Sequence, residues 1–395
     1  MSTPDPGRLE EARDVEAADP GGMLRQVASS AAQIREARRA AAEAGVEALA
    51  DDGRPRAIVV TGMGGSGISG DVLAAVCGLG CPVPITTVRG YRLPGWVGAA
   101  DLVIAVSCSG STEETLEVAA EAARRGCRLL CVGGAGSPLA ELAARSRALF
   151  VPVRSVGQPR STLWGLTVPL LVAARALRLA DVPDEVLEST AVLLEDVAHR
   201  CRPDSEPFVN PAKRVALDLA GDVPLVWGTS QLAETAAYRM CCQLNENAKY
   251  PGVYGALPEA DHNQVMAFDG FFAGGGSPAD PADPDGSLWG PTPTPPDNDD
   301  FFRDRSEDAE HGLHLVVLRD TDEHPQTAKR REASVEMARA RGVAVTEIPA
   351  EGAHPLERIA TMIALADYVT VYLAITLGVD PTPVRAIQEL KARIA

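Results

Sequence analysis

The sequence predicts an α/β protein made of two similar units, each a parallel sheet flanked by helices. Three observations carry that expectation. Short runs of Val, Ile and Leu alternate with longer segments of helical character, the rhythm of parallel strands joined by crossover helices. The rhythm starts near residue 56 and restarts at residue 223. In both places the first strand runs into a loop of small residues, Gly62-Met63-Gly64-Gly65-Ser66-Gly67 and then Gly228-Thr229-Ser230. The two halves therefore share one plan, read from the order of elements.

Residues 22–50 are Ala-rich with charges interleaved and read as one or two helices ahead of the first unit. Residues 56–61 (RAIVVT) form a buried strand, followed by helix 68–76 and a second strand at 83–89. Residues 101–107 (DLVIAVS) form a third strand that ends in Ser-Gly-Ser. Helix 112–125 carries acids in its first turn and bases in its last, as the macrodipole favours. Strands follow at 128–133 and 149–153, then helices at 161–178 and 184–199. In the second half the strands are 223–227, 313–318 and 343–348, with helices at 232–247, 328–341 and, long and apolar, 356–377. The expected organisation is an N-terminal helical segment over 1–54, a first unit over 55–155, a helical linker over 156–202 and a second unit over 203–395. Residues 273–300, rich in Gly, Pro and Asp, cannot fill a core and read as a disordered acidic insertion in the second unit.

At 395 residues and 46% hydrophobic, the chain is too long for one core and apolar enough for two. A formal net charge of -17 makes nucleic acid and anionic membrane poor partners. An anionic substrate would then need local positive potential, from helix N-termini and a few arginines. The eight cysteines form no CxxC pair and no Cys/His metal spacing. The six histidines are scattered, with His311 and His314 the closest to a metal pattern, so no metal and no cofactor is expected. The first residues are polar and acidic and no apolar run reaches membrane length, so the expected setting is the cytoplasm, with reduced thiols.

The glycine loop satisfies the spacing G-x-G-x-x-G through Gly62, Gly64 and Gly67. A dinucleotide site also wants a carboxylate at the end of the second strand, and the sequence there is Thr86-Thr87-Val88-Arg89. No Gly-Lys-Ser/Thr follows, so a P-loop fails too. A glycine-rich loop remains where a backbone can approach a ligand, with the Ser66 hydroxyl beside it; a bare tight turn is the alternative. The second constellation, Ser107-Cys108-Ser109-Gly110-Ser111-Thr112-Glu113-Glu114, places four hydroxyls at a helix N-terminus. Hydroxyls and free N–H groups together make an uncharged phosphate cradle. Plain N-capping is the competing account, but one hydroxyl would suffice for a cap.

With these two loops the chain resembles the sugar-isomerase (SIS) domain, and its wider order resembles the bifunctional phosphoglucose/phosphomannose isomerase family, which has two such domains. The resemblance runs from about residue 55 to the C-terminus, apart from the insertion. It implies two flavodoxin-like SIS domains. It also implies that Gly65, Ser66, Ser107, Ser109 and Thr112 hold a substrate phosphate and that Arg160 lies close to the reacting carbons. Where the family often reads SYSGNT this chain reads SCSGST, keeping the hydroxyls. The segments Asn245-Glu246-Asn247-Ala248-Lys249 and Asp261-His262-Asn263 resemble the family's catalytic core, with Glu246 as base and His262 as ring-opening residue. Lys391 corresponds to a terminal-helix lysine that reaches the sugar, although plain solvation would also account for it. The family reaction moves one proton between C2 and C1 through a cis-enediol, interconverting glucose 6-phosphate and mannose 6-phosphate with fructose 6-phosphate. C2 is planar in the enediol, so one base serves both epimers if the pocket allows rotation about C2–C3. The resemblance further implies a homodimer in which His262 reaches the partner's site.

Three other accounts compete. A non-catalytic SIS protein that senses a phosphosugar would keep the cradle and not need Glu246 or His262. A Rossmann oxidoreductase lacks its acid here. An amidotransferase-linked SIS enzyme would need an N-terminal Cys nucleophile, which the sequence does not have.

Overall fold

The structure, a computed structural model, describes residues 4–155, 157–273 and 312–394. The acidic insertion expected at 273–300 lies, from residue 274 on, outside the described residues, as does His311.

The chain opens with α1 (Ala12–Ala18), α2 (Met23–Ala28) and α3 (Ser30–Glu43). On α3 the stripe Ala31, Ile34, Ala37 and Ala41 is buried, so the interleaved charges fall on the solvent side. The first unit follows as β1 (Ile58–Thr61), α4 (Gly65–Cys77), β2 (Ile85–Val88), β3 (Leu102–Ser107), α5 (Glu113–Arg124), β4 (Arg128–Gly133), α6 (Pro138–Ser146) and β5 (Leu149–Pro152). All its strand pairs are parallel, in the order β2-β1-β3-β4-β5. This is the flavodoxin-like winding. Every residue of β1 and β3 is buried, as strands covered on both faces must be. Helix α6, absent from the sequence expectation, starts at Ser137, whose hydroxyl accepts from the Ala140 N–H, with Pro138 in its first turn.

Next come α7 (Leu163–Ala176), α8 (Asp184–Arg200) and α9 (Pro211–Leu219). Helix α7 is apolar nearly all round and packs against α3 and α4, so this part of the segment read as a linker is a layer of the first unit. Helix α9 is a second unforeseen element, capped by Asn210 Oδ1 accepting from Ala212 and Lys213 at 3.0 and 3.0 Å.

The second unit is β6 (Val223–Gly228), α10 (Gln231–Gln243), β7 (Val253–Ala256), β8 (Leu313–Arg319), α11 (Pro325–Ala340), β9 (Ala344–Pro349) and α12 (Pro355–Thr376), with α13 (Arg385–Ile394) closing the chain. Its sheet is parallel in the order β7-β6-β8-β9, which repeats the first four positions of the first sheet. The repeat extends to the strand-to-helix turns. A Cβ on Gly62 would sit 2.9 Å from the Ser66 carbonyl carbon and 2.9 Å from Val106 O, and one on Gly228 would sit 2.2 Å from Glu234 N. Both turns bring backbone against backbone, which leaves no room for a side chain.

Helix α12 has the length and composition of a bilayer-crossing segment, against the expectation that no apolar run reaches that length. Here 94% of its most apolar window is buried inside the protein, against α8, α9 and α10 among others. One continuous apolar cluster joins the inner faces of both sheets through α3, α4, α7, α8, α9, α10 and α12. Smaller clusters fill the outer faces, under α5 and α6 on the first sheet and under α11 on the second. Helix α8 touches both α3 and α12 and ties the two units together.

Candidate active site

The site is built on the loops after β1 and β3, at the C-terminal ends of adjacent strands, where open α/β sheets bind ligands. Gly65 and Ser66 open α4. The Ser66 hydroxyl reaches across to the second loop and accepts from the Cys108 N–H at 3.3 Å. Ser107 ends β3, and its hydroxyl accepts from the Gly110 N–H at 3.0 Å and pairs with the Thr112 hydroxyl at 2.9 Å. Ser109 accepts from the Ser111 N–H at 3.2 Å and the Ser111 hydroxyl at 3.0 Å. Thr112 is the N-cap residue of α5, yet its side chain makes no cap bond. The competing account of this loop as a plain N-cap therefore does not hold, and the first N–H groups of α5 have no side-chain acceptor.

Arg160 lies directly beside the glycine loop after β1. A Cβ on Gly65 would be 3.7 Å from Arg160 Cα. Arg160 is buried, at 4% exposure, on a short 3-10 turn over Pro159–Ser161. Its Nε donates to Asn247 Oδ1 at 2.7 Å, its Nη2 to Pro381 O at 2.8 Å and Thr382 O at 2.9 Å, and its Nη1 to Gln158 Oε1 at 3.3 Å. That leaves Nη1 facing Glu246 Oε2 at 3.7 Å. Burial pulls the guanidinium below its ordinary pKa, Glu246 works against that shift, and Arg239 adds to it.

Glu246 owes its position to an irregular helix end. Beyond Gln243, α10 continues as one π turn over Leu244–Ala248. Such wide turns recur at functional sites. Lys249 closes the turn in a left-handed conformation, φ 54, and its Nζ donates to Glu246 O and Asn247 O at 3.1 and 3.1 Å and to Asp380 O at 2.8 Å. Burial, with Arg160 adding to it, holds this ammonium below its ordinary pKa.

Short contacts thus join Ser66 to the loop after β3, Ser107 to Thr112, Gly65 to Arg160 and Arg160 to Glu246 in one set. His262 does not join it within the chain: it is exposed at the end of the 3-10 turn Glu259–His262, and no hydrogen bond links it to Arg160 or Glu246. Lys391 lies on α13, none of whose residues is buried.

Several polar residues beside this set were given no role from sequence. Asn247 Nδ2 donates to Thr370 Oγ1 at 3.0 Å, so the amide that holds Arg160 is itself held by α12. Arg239 donates to the Arg160 carbonyl at 2.9 Å and pairs with Asp367 at 2.6 and 3.0 Å. Burial raises the Asp367 carboxyl above its ordinary range, and Arg239 opposes the shift. Arg89 follows β2, pairs with Asp71, and lies 5.5 Å over the Tyr238 ring, which puts a second guanidinium against the glycine loop. Apart from Arg89–Asp71, 18 residues apart, the hydrogen-bonded links span 79 to 128 residues, so no local spacing announces them.

Two parallel sheets of the same winding, with a hydroxyl-lined loop at the strand ends of the first, define a protein of the sugar-isomerase (SIS) class with two SIS units. The comparisons agree. Residues 208–394 match the model of the bacterial phospho-glucose isomerase C-terminal SIS domain. The chain is 30% identical over 341 residues to a bifunctional phosphoglucose/phosphomannose isomerase of Caldicellulosiruptor bescii, covering 86% of this chain and 89% of that one. It is 28% identical over 350 residues to the protein of the same name from Aquifex aeolicus, covering 88% and 93%. Among solved structures, a hypothetical protein of Thermus thermophilus shares the fold at a TM-score of 0.66 and 16% identity, over 98% of this chain and 94% of that one. The chain belongs to the bifunctional phosphoglucose/phosphomannose isomerase family.

Proposed function

We propose that this chain interconverts glucose 6-phosphate, mannose 6-phosphate or both with fructose 6-phosphate through a cis-enediol. The observation that carries the proposal is the Glu246 carboxylate facing the Arg160 guanidinium at 3.7 Å, with Arg160 packed against the glycine loop of the phosphate cradle.

The ester phosphate is held by the hydroxyls of Ser66, Ser107, Ser109 and Thr112, by the backbone at Gly65 and by the N–H groups opening α5. These donors carry no net charge, so the cradle grips the dianion without stabilising charge at the far end of the sugar. His262 moves a proton between the ring oxygen and the anomeric hydroxyl, opening the ring. Glu246 then takes the C2 proton and returns it at C1. The enediolate oxygen that develops between these steps is met by Arg160, a buried guanidinium. Lys391 is a second cation for the same charge. Because His262 and Lys391 are exposed, the proposal is completed by a homodimer in which His262 reaches the partner's site. The setting is the cytoplasm: all eight cysteines are unpaired, and burial pushes the Cys131, Cys201 and Cys241 thiols up to about 12.

The test is isomerase activity of the purified protein and of Glu246→Gln, with all three hexose 6-phosphates. The variant loses turnover by ~10³-fold or more while binding sugar phosphate nearly as well as wild type. Near-wild-type turnover in that variant ends the assignment. Phosphosugar binding with no turnover in the wild-type protein would leave a sensor.

A further inference from the structure

We propose that Gln26 and Gln33, in the N-terminal helices, are positioning residues that hold the Arg160 turn in register with Glu246. This rests on the assignment of Arg160 to the reacting end of the sugar.

Arg160 sits on a turn with little regular structure, between the end of β5 and the start of α7. Gln26 Oε1 accepts from the Gln158 N–H at 2.7 Å and lies 3.1 Å from the Ser161 hydroxyl, whose proton it shares with Gln158 O at 2.7 Å, bracketing Arg160 on both sides. Its Nε2 donates to Gly21 O at 2.8 Å, which fixes the orientation of the amide. Gln33 acts on the same turn from the next helix. Its Nε2 donates to Ser161 O at 2.7 Å, and its Oε1 accepts from the Gly165 N–H at 3.2 Å, the latter in the first turn of α7. The fit at Gly157 is close: a Cβ there would lie 2.1 Å from Gln26 Oε1.

Apolar packing does not hold this side of the turn. A cleft of about 430 Å³ lies between the helices and the turn, lined by Gln26, Ser29, Gln33, Gly157, Ser161 and Thr162 among others. With open space behind it, the turn takes its position on this side from these polar contacts, while Arg239 also holds the Arg160 carbonyl at 2.9 Å. Gln158, whose N–H Gln26 holds, also accepts from Arg160 Nη1 at 3.3 Å, the same nitrogen that faces Glu246. A shift of the turn therefore moves the guanidinium relative to the base. An error of about 1 Å in such a placement costs on the order of 10²-fold in rate.

The experiment compares Gln26→Ala, Gln33→Ala, Gln26→Glu, Arg160→Ala and the double variant Gln26→Ala/Arg160→Ala in the coupled isomerase assay, with melting temperatures. Arg35→Ala serves as the control. It sits on the same helix as Gln33 and pairs with Glu188 at 2.7 Å and with Glu195, so it loosens the helix without touching the turn. Gln26→Ala and Gln33→Ala each lower kcat by ~10- to 100-fold with KM within about threefold, since the cradle is untouched. Gln26→Glu keeps the acceptor but sets a carboxylate oxygen against Gly21 O, and it recovers part of the turnover lost in Gln26→Ala. Arg35→Ala lowers the melting temperature and leaves kcat unchanged. In the Arg160→Ala background, Gln26→Ala has no further effect on kcat. The inference is overturned if both Gln→Ala variants turn over within twofold of wild type while Arg160→Ala does not. It is also overturned if Gln26→Ala costs as much in the Arg160→Ala background as in wild type. Full turnover in Arg160→Ala alone would instead remove the role assigned to that arginine.

Discussion

Replacing Arg160 by lysine keeps the positive charge and removes the planar fork. The arginine satisfies Asn247 Oδ1, Pro381 O and Thr382 O at 2.7, 2.8 and 2.9 Å from two different nitrogens, and a third nitrogen faces Glu246 at 3.7 Å. One ammonium cannot occupy all of these directions. If it settles on the two carbonyls, Asn247 and Glu246 lose their partner; if it settles near Glu246, the carbonyls do. Each buried acceptor left unmatched costs ~1–3 kcal/mol, and the site has at least one or two of them. The gross attraction across 3.7 Å is ~4 kcal/mol at an effective dielectric of 20, most of it offset by desolvation. Arg160→Lys is therefore expected to lose roughly 2–4 kcal/mol of stability. Losing one well-aimed donor to a developing oxyanion costs ~10²–10³ in kcat. The KM stays within about threefold, because the hydroxyls proposed to hold the phosphate are unchanged. The measurements are chemical denaturation and the conversion of fructose 6-phosphate to glucose 6-phosphate, coupled to a dehydrogenase. A kcat within threefold of wild type with a tenfold higher KM would refute the reasoning, because it would make Arg160 a phosphate ligand.

Two further outcomes are expected. Ser107→Ala removes a hydroxyl shared with Thr112 and should raise KM by ~10-fold, weaken inhibition by inorganic phosphate by the same factor and change kcat little; unchanged phosphate inhibition with a lower kcat would contradict the cradle. Asp101 is fully buried, and its bond to Arg56, helped by the Gly98 N–H, holds its carboxyl below the ordinary value of 3.8. A depressed folded pKa means the stabilisation is complete above pH 3.8 and is lost as pH falls through the lower folded value. The stability gap between wild type and Asp101→Asn should accordingly be present at pH 7 and close below pH 3.8, and a gap that stays constant in denaturation at the two pH values would be inconsistent with this.

The first sheet was readable from sequence because its strands are continuous apolar runs and its loops carry glycines and hydroxyls at fixed offsets. The strand that escaped notice lacked that contrast: β7 is four residues, Val253–Ala256, with Val253 and Tyr254 half exposed at the sheet edge. Helices α6 and α9 start on Ser137-Pro138 and Asn210-Pro211, where a cap followed by proline marks a beginning, although proline alone suggests an interruption. Of the site, the residues that touch one another through a short motif were legible. The contacts that aim Arg160 were not, because Gln26, Asn247 and Pro381 lie 132, 87 and 221 residues away from the groups they bind. Only the fold brings such residues together, and amides and carbonyls have no preferred spacing to betray them.

The π turn over Leu244–Ala248 sets how this chemistry can be gained or lost. A wide turn holds one residue more than regular winding would, and each residue of an α-helix advances by about 100°. Deleting a single residue there would restore regular winding and swing the carboxylate off its arginine, while the hydroxyls on the loops of the first sheet stayed where they are. Under the roles proposed for Glu246 and the hydroxyls, one codon would separate a catalyst from a receptor for the same ligand.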